Sequence, residues 1–127
     1  MLLGEDFEAF FEAVQAIFAS IPYTLNTQRD EAYFHTLFYL MVSASGADAR
    51  SELLTSRGRI DLAVEFPDAV YILEFKCEQP PGVALRQIKE QGYAERYRGT
   101  GKRIWALGTA FDADARNLAA WQVEALV

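Results

Sequence analysis

The hydrophobic positions in the first third of the chain recur at helical spacing. Over residues 5–19 one apolar stripe faces a single side of a predicted helix: Phe7, Phe10, Phe11, Val14, Ile17 and Phe18. Pro22 ends this helix, because the residue before a proline avoids helical geometry. A second helix is predicted from about Thr27, where Thr27 and Asp30 form a capping-box pattern, to Ser45-Gly46. Its predicted apolar stripe is Tyr33, Leu37, Leu40, Met41 and Ala44.

From Ser51 the pattern changes to a period of two, which is typical of strands. One face is apolar and consists of Ile60, Leu62, Val64 and Phe66, whereas the other carries Asp61, Ala63 and Glu65. Pro67-Asp68 is a turn signal, and residues 70–77 read as the second strand of a β-hairpin. Residues 51–57 are a candidate for a further strand before the hairpin.

The rest of the chain alternates between helix and strand. After Pro80-Pro81-Gly82, one helix is predicted over residues 83–98, with Leu85, Ile88 and Gly92 on one face. Gly99 and Gly101 end it, and residues 102–109 form a buried strand. The last segment fits either a helix capped by Asp112 or an edge strand; we favour a short helical turn near residues 113–116 followed by a strand. A helix between the hairpin and a later strand makes a crossover, so the prediction is an α/β fold with a mixed sheet.

Length and composition fit one domain over residues 1–127. No apolar run reaches the ~18 residues that span a bilayer, and acidic residues interrupt the N-terminal segment where a signal peptide would be apolar. A single cysteine, Cys77, allows no internal disulfide. We therefore expect a cytoplasmic location and no membrane partner. The Phe-rich helix over about residues 5–19 is a candidate interdomain or dimer element, so a homodimer is one expectation.

The net charge of −6 and the pI of about 4.7 argue against a nucleic-acid partner at first sight. The charges are unevenly distributed, however. Residues 50–103 hold ten Lys and Arg against eight Asp and Glu, whereas residues 1–31 hold one basic residue against six acidic ones. Five residues are candidates for contacts to a nucleic-acid backbone, although a solvated surface explains them equally well: Arg57, Arg59, Arg86, Lys89 and Arg96. Charge alone therefore neither supports nor excludes a nucleic-acid partner.

The candidate chemistry lies at the end of the hairpin. Strand alternation puts Glu74 and Lys76 on one face, and the turn brings Asp61 near Glu74. Two carboxylates, with the backbone carbonyl of Phe75 as a further ligand, make a hard-oxygen site that suits Mg²⁺ or Mn²⁺. The Lys76 ammonium can hold a water or stabilise charge that develops on a phosphate. The alternative is a same-face surface ion pair of little energetic worth.

These motifs resemble a branch of the PD-(D/E)XK nuclease superfamily that is commonly found C-terminal to an AAA-ATPase-like domain. The resemblance is carried by Gly58 to Leu62, Ile72 to Lys76, Ala84 to Ile88 with Tyr93, Ser20 to Tyr23, the helix containing Glu31, Tyr33 and His35, and Gly108 with Phe111. It implies a restriction-endonuclease-like core, in which a mixed central β-sheet is flanked by helices. One departure is that Ile60 stands where the family has proline before its metal-binding aspartate.

The resemblance also implies roles for single residues. Asp61 matches the metal-binding aspartate, Glu74 the second acidic ligand and Lys76 the catalytic lysine. Gln87 matches a glutamine close to the active site, and Glu31 an acidic residue that completes the metal site. Alternative readings stay open, since an acidic residue in the first turn of a helix is favoured by the helix dipole. Likewise Gln87 and Tyr93 fit an ordinary helix face, and His35 fits a hydrogen-bonded boundary position.

Two functions remain open at this point. The first is a magnesium-dependent nuclease that hydrolyses phosphodiester bonds, in DNA rather than RNA. The second is a catalytically inactive module that keeps the nuclease fold for interaction with protein or nucleic acid, attached to an AAA-ATPase-like partner domain.

Overall fold

The structure, a computed structural model, describes residues 7–20, 31–44, 48–54, 59–112, 114–115 and 117–126. The helices are α1 (Phe7–Ala19), α2 (Glu31–Ala44), α3 (Pro81–Glu90) and a 3₁₀ helix (Tyr93–Tyr97). The strands are β1 (Asp48–Leu54), β2 (Arg59–Glu65), β3 (Ala69–Cys77), β4 (Arg103–Asp112) and β5 (Asn117–Ala125). None of the helices in these ranges is long and apolar enough to cross a membrane.

The five strands form one sheet in the order β1-β2-β3-β4-β5. β3 and β4 are parallel, and the other neighbouring pairs are antiparallel. The chain leaves β3, passes through α3 and the 3₁₀ helix, and returns as β4, which is the crossover that two parallel neighbours require. The predicted mixed sheet and α/β class are therefore confirmed.

The two faces of the sheet bury separate clusters. α1 and α2 cover one face, where the fully buried aromatic residues include Phe11, Phe38, Phe75 and Phe111. α3 and the 3₁₀ helix cover the other face, whose buried cluster is mainly aliphatic with two tyrosines: Ile60, Ala63, Val70, Ile72, Ile88, Tyr93, Ala94, Tyr97, Ile104 and Ala106. The sheet is thus the middle layer of three.

The predicted helical stripe is right for most of α1 and right only in part for α2. Ile17, at the margin of the α1 stripe, is 46% exposed. Among the described side chains of α2, Phe38 and Val42 are buried and the predicted Leu37 and Met41 pack against the same core, whereas the predicted Leu40 is 53% exposed. Ten of the fourteen positions of α2 are apolar, so helical spacing alone allows more than one stripe. The predicted start near Thr27 lies outside the described residues.

The single helix predicted over residues 83–98 is also wrong. α3 ends at Glu90, and Gly92 adopts the left-handed conformation with φ of 64° before the 3₁₀ helix begins. Glycine reaches this conformation without steric cost and commonly ends helices in this way. The break matters because it turns Tyr93 and Tyr97 inward, where both are buried.

Near the C-terminus the strand alternative is correct, since β5 pairs along β4. The Asp112 carboxylate accepts hydrogen bonds from the backbone N–H groups of Asp114 (2.9 Å) and Ala115 (3.3 Å), so it stabilises the turn between the two strands. β4 extends beyond the predicted Thr109. β1 confirms the candidate strand before the hairpin, although that strand begins three residues earlier than predicted.

Candidate active site

The site forms where the regular pairing of β2 and β3 gives way to side-chain contacts. The ladder runs from the Glu65/Val70 pair to the Leu62/Leu73 pair. Beyond it, the backbone N–H of Asp61 donates to Glu74 Oε1 (3.2 Å), and the backbone N–H of Phe75 donates to Asp61 Oδ2 (3.0 Å). Each carboxylate therefore binds the main chain of the opposite strand. The structure brings Asp61 and Glu74 together, as the hairpin geometry predicted.

Ile60 departs from the predicted alternation next to this site. The period of two placed it with Leu62 and Val64, yet it packs in the cluster on the α3 side of the sheet, whereas those two residues pack on the α1–α2 side. The irregularity coincides with Asp61, whose backbone bonds a side chain in place of a strand partner.

Glu74 is almost completely buried, with 1% of its surface exposed. Burial, and then the neighbouring Asp61 carboxylate, raise its pKa to about 9, although the Lys76 ammonium acts in the opposite direction. Both causes favour the protonated form of Glu74 at neutral pH in the absence of a cation. Its main chain is also held, because the Thr109 hydroxyl donates to the Glu74 carbonyl (2.9 Å).

Gln87 reaches the same carboxyl group from α3. Its Nε2 donates to Glu74 Oε2 (3.2 Å) and makes a longer hydrogen bond to the hydroxyl of the buried Tyr93 (3.5 Å). The contact places Gln87 directly against Glu74, as the family resemblance implied. The left-handed turn at Gly92 is what returns Tyr93 towards the end of α3.

Gly108 allows α3 to lie this close to the sheet. It pairs with Glu74 in the β3–β4 register. A Cβ at this position would lie 2.5 Å from the Pro81 carbonyl oxygen and 2.7 Å from the backbone nitrogen of Leu85. The sequence marked Gly108 only through its family resemblance, since its role depends on a contact between residues distant along the chain.

The remaining predicted site residues are placed less closely. Lys76 follows Glu74 by two residues, is half-buried, and is close enough for its charge to act on the Glu74 pKa. The rings of His35 and Phe75 lie 5.0 Å apart, which puts His35 on the α1–α2 side of the sheet, away from the Glu74 carboxyl. The geometry therefore places His35 in the packing of the core boundary.

The predicted third acidic ligand cannot be located. Glu31 begins α2, but its side chain lies outside the described residues. Among the side chains that are described, no group of three or more His, Cys, Asp or Glu residues is arranged to hold a metal ion. Of the acidic groups predicted to bind metal, the described site contains Asp61 and Glu74.

Comparison with known proteins places this geometry in a family. The family model of the PD-(D/E)XK nuclease superfamily matches residues 29–121, which include Asp61, Glu74, Lys76 and Gln87. The chain belongs to the PD-(D/E)XK nuclease superfamily. Membership accounts for the restriction-endonuclease-like arrangement of the mixed sheet between helices. The AAA-ATPase-associated branch stays a prediction.

A curated relative extends the comparison. The chain is 41% identical over 132 aligned positions to a protein of Azotobacter chroococcum mcd 1 described as "Uncharacterized protein in vnfD 5'region". The match covers 99% of this chain and 26% of that protein, so the chain spans about a quarter of the relative's length. No solved structure matches the chain.

Proposed function

We propose that this domain is a metal-dependent nuclease that hydrolyses phosphodiester bonds, with DNA as the substrate in preference to RNA. The observation that carries the proposal is the meeting of Asp61 and Glu74 at one end of the β2–β3 hairpin, with Lys76 on the same strand as Glu74. Membership of the nuclease superfamily supports the same conclusion.

The donor set fits Mg²⁺ or Mn²⁺. The carboxylates of Asp61 and Glu74 are hard oxygen ligands, and the carbonyl of Phe75, the residue between Glu74 and Lys76, would be a third. Glu31 remains a candidate for a fourth. A divalent cation held there would supply Lewis-acid polarisation of the scissile phosphate and lower the pKa of a bound water.

The chain's own residues would divide the remaining work. The Lys76 ammonium would orient the attacking water or stabilise the negative charge that builds on the phosphate. The Gln87 amide would keep the Glu74 carboxyl in one orientation through its 3.2 Å hydrogen bond. Because burial and the Asp61 carboxylate favour the protonated form of Glu74, binding of a cation would displace that proton.

A plasmid-nicking assay with and without Mg²⁺ tests the proposal. We expect nicking that chelation abolishes, and a loss of about 10²-fold or more in rate for Lys76→Met, since such groups act on charge in the transition state. Asp61→Asn should remove activity. The matched control is Asp68→Asn, which changes an exposed aspartate in the hairpin turn. Full activity of the Asp61→Asn protein would show that the proposed site is wrong.

A non-catalytic role is the second candidate, and one observation favours it. Without a metal, both carboxyl groups already have hydrogen-bond partners in the protein: Asp61 binds the Phe75 N–H, and Glu74 binds the Asp61 N–H and Gln87. A nuclease fold that has lost activity would keep this closed network as a structural feature. Such a module would bind a protein or nucleic-acid partner, an AAA-ATPase-like domain among the candidates, without any metal-dependent cleavage.

A further inference from the structure

Thr109 is a polar residue in an apolar layer. It belongs to β4, where the residues two positions before and after it, Leu107 and Phe111, pack in the aromatic cluster under α1 and α2. Its side chain is fully buried, with 0% of its surface exposed. A buried hydroxyl needs a hydrogen-bond partner, because burial without one costs free energy. The partner of the Thr109 hydroxyl is the backbone carbonyl of Glu74, 2.9 Å away.

The peptide group between Glu74 and Phe75 has a hydrogen bond at each end. Its carbonyl oxygen accepts the bond from Thr109 on β4. Its N–H, which belongs to Phe75, donates to Asp61 Oδ2 on β2 (3.0 Å). A trans peptide is planar, and its C=O and N–H point in opposite directions, so one rigid group bridges the strands on either side of β3. Thr109 and Asp61 are therefore linked through a single peptide plane.

This link has an electrostatic consequence. Donation to a peptide carbonyl polarises the whole peptide group, and hydrogen bonds in such a chain strengthen one another by about 10–30%. The Thr109 hydroxyl therefore makes the Phe75 N–H a better donor to Asp61. A hydrogen bond to an ionised acceptor is about twice as strong as one between neutral groups, and a carboxylate that binds a cation must be ionised. The strength of this donor thus matters most in the state that binds a cation.

The bond from Phe75 is important because main-chain pairing ends beside Asp61. The regular β2–β3 ladder stops at the pair of Leu62 and Leu73. The backbone N–H of Asp61 then bonds a side-chain oxygen of Glu74 in place of a strand partner. Side-chain contacts therefore decide how the Asp61 carboxylate is oriented. The Phe75 N–H fixes one of its oxygens and with it the direction of the other.

We infer that Thr109 is a positioning residue for the Asp61 carboxylate and acts through the peptide group between Glu74 and Phe75. This inference rests on the proposed function, in which Asp61 binds a divalent cation. Residues that hold a metal ligand in place commonly contribute about 10- to 100-fold to metal affinity. Thr109 acts on Asp61 through one intervening peptide group, so we expect an effect at the lower end of that range.

The test is Thr109→Val, which keeps the shape of the side chain and removes the hydroxyl. In the metal-free protein, the amide proton of Phe75 should move upfield in a two-dimensional NMR spectrum, because its hydrogen bond to Asp61 Oδ2 is weaker. In calorimetric titration, Mn²⁺ should bind about tenfold more weakly. Thr109→Ser keeps the hydroxyl and should return both quantities to near their wild-type values.

Thr100→Val is the matched control. The Thr100 hydroxyl also donates to a backbone carbonyl, that of Tyr97 at 2.6 Å, but Thr100 is exposed and lies outside the chain of hydrogen bonds that ends at Asp61. This variant should change neither the Phe75 amide proton nor the affinity for Mn²⁺. If Thr109→Val does not fold, Thr109→Ala and Thr109→Ser provide the same comparison, because they differ from each other by the hydroxyl alone.

Two results would overturn the inference. The first is a Phe75 amide proton that Thr109→Val leaves at its wild-type position. The second is a loss of Mn²⁺ affinity in Thr109→Ser as large as that in Thr109→Val, which would assign Thr109 to core packing. Either result leaves the proposed function standing if wild-type protein binds Mn²⁺ and nicks plasmid DNA. Wild-type protein that does neither would overturn the proposed function, whereas the Phe75 signal would still decide whether Thr109 acts on Asp61.

Discussion

The two faces of the central sheet differ in what they contain. The face under α1 and α2 is packed with aromatic rings, such as Phe38 against Phe75 with centroids 5.1 Å apart. The face under α3 is mainly aliphatic with two tyrosines, and Gly108 lets the backbone of α3 contact β4 directly. The first arrangement buries a large apolar area. The second brings the Gln87 side chain to the Glu74 carboxyl group. It also brings the carboxyl groups of Asp61 and Glu74 to the backbones of β3 and β2, respectively.

Side chains of β3 project to both faces of the sheet, so this strand contributes both to the aromatic core and to the candidate site. Phe75 points into the aromatic layer, whereas the flanking Glu74 faces Gln87. Successive residues of β3 therefore alternate between the aromatic core and the candidate site. The comparison predicts that substitutions of the rings on the aromatic face act on stability alone, whereas substitutions around Glu74 on the α3 face also change function or the pH dependence of stability.

The largest effect on stability is expected on the aromatic face. Phe38→Ala should lower the free energy of unfolding by about 3–5 kcal/mol, because Phe38 is fully buried and its removal leaves a cavity. Leu40→Ala, two residues away on α2, is the control; Leu40 is 53% exposed, so the change should stay within about 0.5 kcal/mol. Urea unfolding followed by circular dichroism measures both. Equal losses for the two variants would contradict the assigned orientation of α2.

On the α3 face, Glu74 should make the metal-free protein less stable as pH rises. Its folded pKa of about 9 lies above its ordinary value, so the unfolded chain loses the proton first. Folding then requires proton uptake, and stability should fall by roughly 1.4 kcal/mol per pH unit between the two pKa values. Its favourable contribution is complete below the ordinary pKa of a glutamate and lost as pH rises through about 9.

Glu74→Gln removes this titration, so in EDTA the variant should be more stable than wild type at pH 8 and the difference should shrink towards pH 5. Thermal unfolding over a pH series measures the effect. The control is Glu90→Gln, which changes an exposed glutamate of α3. If the stability of wild-type protein does not fall relative to that of Glu74→Gln between pH 6 and 8, the assignment of a proton to Glu74 is wrong.

Gly108→Ala should lift α3 from the sheet. The added Cβ would meet backbone atoms at 2.5 and 2.7 Å, which cannot be relieved by a side-chain rotation. We expect a loss of about 1–3 kcal/mol in stability and a larger proportional loss of nicking activity, since Gln87 moves with α3. Gly82→Ala is the matched control, because its Cβ would meet only the flexible end of Gln122 at 3.3 Å. If both variants behave alike, the close contact does not position the site.

The smallest effect is expected from Tyr93→Phe. The bond from Gln87 Nε2 to the Tyr93 hydroxyl is long, at 3.5 Å, so its loss should change the free energy of unfolding by less than about 1 kcal/mol. Gln87→Ala removes the shorter contact to Glu74 as well and should reduce nicking more strongly. Nicking rates of the two variants at equal metal concentration test this order. If Tyr93→Phe loses as much nicking activity as Gln87→Ala does, this predicted order is wrong.

The sequence predicted the hairpin and the meeting of its carboxyl groups because a period of two and a turn signal are local properties. Asp61 and Glu74 are equally spaced from Pro67-Asp68, and pairing across the turn follows from that spacing. The face of α2 could be predicted only in part, since its apolar residues allow more than one stripe and packing against rings of α1 and β3 selects Phe38.

Other features of the site depend on contacts that no local pattern encodes. Ile60 leaves the alternation where the Asp61 backbone bonds a side chain of the neighbouring strand. Gly92, predicted on a helix face, instead ends α3 and returns Tyr93 to Gln87. The importance of Gly108 appears only when α3 is placed on β4. The family resemblance named several of these residues, and the structure supplies the physical reason for them.

Calorimetric titration with Mn²⁺ at pH 7, in two buffers of different ionisation enthalpy, tests whether Asp61 and Glu74 form one divalent-cation site. We expect saturable binding that releases about one proton from Glu74, and loss of that binding in Asp61→Asn protein. If wild-type protein binds no Mn²⁺, or if Asp61→Asn protein binds it as tightly as wild type does, the two residues do not form such a site.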